Sequence, residues 1–277
     1  MAAFVERLAH RPPLLWLDYE EYAGTLLAGG NVPWLDITAG VAWLRKAQSL
    51  LKSDVVAVPA ASICAAWIRQ NTALQTAMAS KRRAVYPLRV MLADPGLRAQ
   101  LHGTVQALRA NFSDLTLALV CPSPPSWVAA AYRQAFGDAV QVEIGEDEID
   151  SAALYIADFL RVFGDCRLDV LLLQESSNAQ SAGAPNLAAY RAALNVAANY
   201  RWDVGLQTGG KCGADAAELG FLVVRDTVAN VPCGCVVSDG FWNGEPPPEN
   251  PLGGFRYARI PPETPPERVL ERLALLR

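Results

Sequence analysis

Short apolar runs alternating with longer amphipathic stretches constrain this chain more than any other feature. The runs are LLWLDY (14–19), DVVAVPA (54–60), LTLALVC (115–121), VQVEI (140–144), LDVLLLQ (168–174), WDVGLQ (202–207), GFLVVRD (220–226) and CGCVVSD (233–239). Most are apolar at nearly every position, as a parallel strand buried on both faces requires. The intervening segments follow a helical period instead. AWLRKAQSLLK (42–52) gathers its apolar residues on one face. EIDSAALYIADFLRVFG (148–164) opens on acids that favour a helix N-terminus and closes on glycine. SWVAAAYRQAFG (126–137) also closes on glycine, and NLAAYRAALNVAANY (186–200) is again amphipathic.

Eight strands with helical crossovers predict an α/β architecture, a single (β/α)8 TIM barrel occupying residues 1–277. The competing open sheet lacks a G-x-G-x-x-G turn after its first strand. The segment 85–92, VYPLRVML, is a candidate extra strand that could displace one of the eight. The proline-rich segment 245–266 is expected to be a loop over the barrel, followed by a closing helix over 265–277.

Composition narrows the partners. With 52% hydrophobic and 19% charged residues, the chain can fill a large core and shows no sign of disorder. A net charge of −4 disfavours a nucleic-acid backbone as partner, and Lys81-Arg82-Arg83 is more simply a solvated turn. The longest apolar stretch, 55–68, is too short for a membrane span and is interrupted by Pro59 and Ser62. No signal-like apolar run opens the chain, so a cytoplasmic location is expected, with the six cysteines reduced. A small-molecule substrate is therefore the expected partner. The apolar faces of 42–52 and 186–200 serve either the barrel or a second copy of the chain, which leaves a homodimer open.

In a barrel, function gathers at the C-terminal strand ends. That rule selects Asp18, Tyr19, Glu20 and Glu21 after the first strand and Ser62 after the second. Further along it selects Gln174, Glu175, Gln207, Lys211, Cys212, Arg225, Asp239, Phe241 and Trp242. Asp18, Glu175 and Asp239 are expected to converge on one cavity, where burial and like charge would raise at least one carboxyl pKa. Lys211 and Arg225 would bind a substrate carboxylate or phosphate. The plainer alternative is that the acids cap the helices that follow. His10 and His102 both fall away from the strand ends, which removes the usual general base.

Several phrases carry a family resemblance: RPPLLWLDY, AWLRKAQSLLKSDVVAVPAAS, the proline turn CPSPPSWVAAAY and the closing RIPPETPPERVLERLALLR. They resemble the uroporphyrinogen decarboxylase superfamily. That group also holds zinc-dependent methyltransferases acting on corrinoids and thiols, and the catalytic barrel of cobalamin-independent methionine synthase. The resemblance implies a barrel enzyme, with Tyr132 as a counterpart of the family's tyrosine after the proline turn. DYEEYAG stands where the decarboxylase has an arginine-rich segment, and VPAAS where it has an aspartate, so a tetrapyrrole tetracarboxylate is a poor candidate substrate.

The main expectation is a metal-free decarboxylase or lyase acting on a small or aromatic organic acid. Lys211 or Arg225 would anchor the carboxylate, and Glu175 or Asp239 would protonate the carbanion. Asp18, Tyr19, Gln174, Gln207 and Tyr132 would hold polar groups, while Phe241 and Trp242 wall out water. No cofactor is favoured. The alternative is a zinc-thiolate methyltransferase using a corrinoid, folate or thiol. For it the resemblance implies a zinc held by Cys212 and by Cys233 or Cys235, with Glu175 or Asp239 as oxygen ligand; Cys212, Cys235 and Glu175 are the preferred set. A Schiff-base role for Lys211 and a non-catalytic ligand-binding barrel complete the alternatives.

Overall fold

The computed structural model describes residues 4–8, 14–175, 186–209, 218–226, 228, 231–249 and 253–277. Eight strands form one parallel sheet: β1 Leu14–Asp18, β2 Val55–Pro59, β3 Thr116–Pro122, β4 Val170–Gln174, β5 Asp203–Gln207, β6 Phe221–Val224, β7 Cys233–Val236 and β8 Phe255–Arg259. Their order, β1-β8-β7-β6-β5-β4-β3-β2, curls the sheet into a nearly closed barrel surrounded by helices. The expected (β/α)8 class is therefore observed.

Two expected elements change. VQVEI (140–144) is irregular chain on the surface, because its alternation of half-buried and exposed positions finds no sheet edge to join. The eighth strand is instead FRYAR (255–259), within the segment expected to be a loop, and it pairs in register with both β7 and β1. The candidate extra strand at 85–92 is the helix Tyr86–Ala93, which Pro87 at its first turn is suited to start. The closing helix runs Pro266–Ala274. No helix among the described residues is long and apolar enough to cross a membrane.

Strand parity sorts the side chains into two buried sets. Trp16, Val55, Ala118, Val120, Val170, Leu172, Phe221, Val223, Phe255 and Tyr257 point into the barrel. Their neighbours in sequence, such as Leu17, Val56, Leu119, Leu171 and Cys233, face the helices. The lower half of the barrel is filled by aromatic rings. Phe4, from the helix Phe4–Leu8, seats its ring 5.2 Å from Phe221 and 5.4 Å from Phe255. Glycine on the neighbouring strands makes this possible: a Cβ at Gly205 would lie 2.2 Å from the Phe221 ring, and one at Gly234 2.4 Å from Phe255. Large and small residues thus interdigitate within a layer.

The seam between β1 and β2 is closed differently. No strand ladder joins them, yet the Leu15 amide donates to Asp54 Oδ2 at 2.7 Å and the Leu17 amide to Ser53 Oγ at 3.0 Å. The Asp54 amide returns a bond to the Leu15 carbonyl at 2.9 Å. Ser53 is itself buried, and its hydroxyl donates to the Val55 carbonyl at 2.8 Å. Gln48, from the helix Ile37–Leu51, donates to the Ser53 carbonyl and accepts from the Tyr19 hydroxyl at 3.2 Å. The Leu15 amide and carbonyl and the Leu17 amide on this edge of β1 thereby find partners, as burial demands. Ser53→Ala orphans the Leu17 amide and is expected to lower unfolding free energy by about 1–3 kcal/mol in chemical denaturation. An unchanged midpoint would mean that water replaces the hydroxyl.

Candidate active site

At the C-terminal ends of the strands the barrel opens into a cavity of about 430 Å³, within the range usual for small-ligand sites. Its floor is polar and built from inward positions on opposite sides of the barrel. On one side the Gln174 amide of β4 donates to Gln207 Oε1 of β5 at 2.8 Å. On the other, the Tyr257 hydroxyl of β8 donates to Asp18 Oδ2 of β1 at 3.3 Å. Gln174 also bonds to the Tyr257 oxygen, so the polar chain crosses the lumen above the aromatic plug.

One wall belongs to the turn after β1. Glu20 is the first residue of the helix Glu20–Ala28, where an acid complements the helix N-terminus. The Trp34 indole N–H donates to Glu20 Oε1 at 2.9 Å, and the Ser62 hydroxyl donates to Oε2 at 3.0 Å. Trp34 is in turn set edge to face against Trp43, with ring centres 5.3 Å apart, and both rings line the cavity beside the carboxylate. Burial is the main reason that the Glu20 carboxyl is raised to about 7, against the opposing pull of the Trp34 and Ser62 donors. Burial likewise raises Asp18, opposed chiefly by the charge of Arg259 and by the Tyr257 hydroxyl. Burial, reinforced by the charge of Asp18, pushes the Tyr257 phenol well above its usual range.

The structure brings Asp18, Tyr19, Gln174, Glu175 and Gln207 together at this cavity, as expected for residues at strand ends. Two of them are occupied in particular ways. The Tyr19 hydroxyl turns away to Gln48. Glu175 accepts from the Tyr190 hydroxyl at 3.1 Å and from Thr208 at 2.8 Å.

Other expected site residues lie elsewhere. Asp239 and Trp242 line a separate cleft with Pro261 and Pro265, which among the described residues shares Arg259 with the main cavity. Phe241 is wholly buried, set edge to face against Trp242 and beneath Arg272, so it packs the cap rather than the cavity. Tyr132 is buried, with its hydroxyl 3.4 Å from the Arg82 carbonyl. Arg225 is exposed and does not line the cavity. Lys211 and Cys212 lie outside the described residues.

Cys235 bears on the expected zinc set. Gly234 and Val236 are the inward positions of β7, so Cys233 and Cys235 stand on the outer face. Cys235 Sγ lies 3.8 Å from the Arg225 carbonyl, and Cys233 Sγ lies 3.2 Å from that of Val231. Glu175, on the cavity wall, and Cys235 therefore sit on opposite sides of the barrel wall, and the described residues do not fit a zinc shared by that pair. Among the described residues, the three ligand atoms found within 4.8 Å of one another belong to His102, Asp165 and Cys166, outside the cavity lining.

Sequence reasoning named Glu20 and Ser62 at strand ends without choosing them, and missed Tyr257, Arg259, Trp34 and Trp43. Tyr257 and Arg259 were readable from the period-two pattern of FRYAR, whose first, third and fifth residues point inward. Nothing local marks Trp34 or Trp43 as cavity walls.

No family model matches the chain, and no curated protein matches it. Among solved structures, a methyltransferase from Methanosarcina mazei is similar, with a TM-score of 0.62 over 98% of this chain and 96% of that one, at 13% identity. The likeness is one of fold, and it agrees coarsely with the resemblance seen in the sequence.

The raised Glu20 carboxyl has a thermodynamic signature. A group whose folded pKa of about 7 exceeds its ordinary 4.5 contributes stability below pH 4.5 that is lost as pH rises through 7. The stability of the natural protein relative to Glu20→Gln should therefore fall by on the order of 2 kcal/mol between pH 4.5 and pH 8. Melting both proteins across that range checks it; a constant difference would refute the assignment.

Proposed function

We propose that this chain is a methyltransferase, moving a methyl group between two small molecules held at the mouth of the barrel. The observation that carries the reading is the pair of enclosed carboxylates, Asp18 and Glu20, set against an aromatic wall over a polar floor. An acceptor of the form Nu–H must lose a proton as its lone pair attacks the methyl carbon, while the bonding pair of the old bond leaves with the donor. A carboxylate with a pKa of about 7 is well matched to take that proton near neutral pH. Trp34, held by its bond to Glu20, fixes the carboxylate and helps to exclude water from the reacting atoms.

Two further points support methyl transfer over decarboxylation. The fold likeness is to a protein described as a methyltransferase. The cation-anchored form of decarboxylation expected from the sequence would need a free arginine or lysine at the cavity to hold the substrate carboxylate. Of the two arginines lining the cavity, both exposed, Arg259 is tied to Glu21 at 2.5 Å. Arg225, expected as an anchor, lies away from the cavity. Asp239 stands in the separate cleft, which removes it from proton transfer at this site.

The test is to supply a thiol acceptor with methyl donors of three classes, an onium compound, a methylated corrinoid and a methylated folate, and to follow product by mass spectrometry. Turnover is expected with one class, with kcat/KM rising with pH through about 7. Glu20→Gln should lower kcat/KM by about 100-fold and remove that limb of the profile. No methyl transfer from any donor, together with carbon dioxide release from an organic acid, would overturn the reading in favour of a lyase.

A further inference from the structure

The charge around the cavity is unbalanced in a way that catalysis alone does not require. Glu20 and Asp18 receive their bonds from neutral donors: an indole N–H, a serine hydroxyl and a tyrosine hydroxyl. Among the described residues no lysine, arginine or histidine makes an ion pair with either acid. Arg259, the nearest positive charge to Asp18, makes its own ion pair with Glu21. Buried carboxylates ordinarily have a countercharge or neutralise. Among the described residues only the more distant charge of Arg259 acts on Asp18, no cation is paired with Glu20, and the space for one is present.

What stands beside that space decides the kind of cation. A divalent metal needs several oxygen or nitrogen ligands at about 2.0–2.6 Å from one ion. No three ligating atoms of the cavity acids come within 4.8 Å of one another among the described residues, so these carboxylates are not gathered for an ion. The cavity instead presents two indoles, Trp34 and Trp43, and the Tyr257 ring next to the acids. Aromatic faces attract weakly hydrated organic cations, and tryptophan does so best. A volume of about 430 Å³ admits a molecule of modest size with its charged head against the acids.

We propose that the cavity binds a small organic cation of the quaternary ammonium or sulfonium class, its positive centre between Asp18, Glu20 and the Trp34–Trp43 wall. The inference rests on the methyl-transfer reading, since such onium compounds are methyl donors. A cation settling beside Glu20 favours its charged form, so binding releases a proton and strengthens as pH rises through the titration of Glu20. The charged or titratable groups facing Glu20 are Asp18 and Glu21 on its own segment, Tyr257 and Arg259 from β8, Glu175 after β4 and Arg133 from the helix Pro124–Phe136. Of these, Arg259 is held by Glu21, Glu175 is held by Tyr190 and Thr208, Arg133 is exposed and the Tyr257 phenol stays protonated, so the dependence is assigned to the two enclosed acids.

The experiment is a calorimetric titration of the whole protein, without acceptor, using choline and its uncharged isostere 3,3-dimethyl-1-butanol. The two differ in little but the charge of the central atom. Choline is expected to bind at least 10-fold more tightly, with the ratio growing between pH 6 and pH 8 and the alcohol's affinity unchanged. The ratio should fall to about 2-fold in Glu20→Gln; if that variant does not fold, the pH dependence in the natural protein carries the same information. Equal affinities, tighter binding of 3,3-dimethylbutyrate, or displacement of choline by magnesium or zinc would each overturn the proposal. Failure of choline to bind, with methyl transfer still seen from a neutral or anionic donor, would sink this inference and leave the function standing. Choline binding with no methyl transfer from any donor would do the reverse.

Discussion

The mouth of this barrel is held in shape by a side-chain seam. β1 pairs by a ladder only with β8, so its other edge would expose backbone amides to a buried environment. Ser53 and Asp54 fill that need from the turn before β2, and Gln48 ties the same turn to Tyr19. A buried amide without a partner would cost more than most single packing contacts contribute. The acids that line the cavity, Asp18 and Glu20, flank Tyr19 at the end of this strand. Their positions therefore depend on polar bonds at the opposite edge of β1 from its ladder.

That dependence explains the division of labour around the cavity. Asp18 and Glu20 come from the β1 side, the amides and Glu175 from the ends of β4 and β5, and the Tyr257–Gln174 contact spans the lumen between them. The Gln174 amide bonds to Gln207 and to the Tyr257 oxygen, and the tyrosine hydroxyl donates on to Asp18. Among the described residues the acids take their close bonds from neutral donors, and the only cation acting on Asp18 is Arg259. Polarity at the site is thus arranged as a hydrogen-bonded floor that ends on Asp18, beside a Glu20 wall with no paired cation among the described residues.

Much of the fold was legible because parallel strands buried on both faces leave unbroken apolar runs, and seven of the eight were found this way. The failure is instructive. VQVEI has the β-branched composition of a strand, yet it lies on the surface with no edge to pair with. FRYAR carries two arginines and sits between proline clusters, so its composition argues against a buried strand. Its polar residues are possible because Arg259 ends at the solvent-facing mouth, while Arg256 reaches the Leu276 and Pro248 carbonyls. At the site, strand ends located Asp18, Gln174, Glu175 and Gln207, whereas Asp239 obeyed the same rule and faces another cleft. The end of a strand fixes height in the barrel but not the direction of a side chain in the loop beyond. Cys235 failed for a simpler reason: one residue of parity turns it outward.

The aromatic plug has a consequence for traffic through the molecule. With Phe4, Trp16, Phe221 and Phe255 in mutual contact across the lower barrel, and glycine on the adjoining strands leaving those rings no slack, the lumen is a blind well. Two reactants that meet there must arrive and depart through the same doorway. The one that reaches the Asp18 floor has to go in before its companion and come out after it. Queueing at a single doorway would impose an obligatory sequence on any two-substrate reaction carried out in this well.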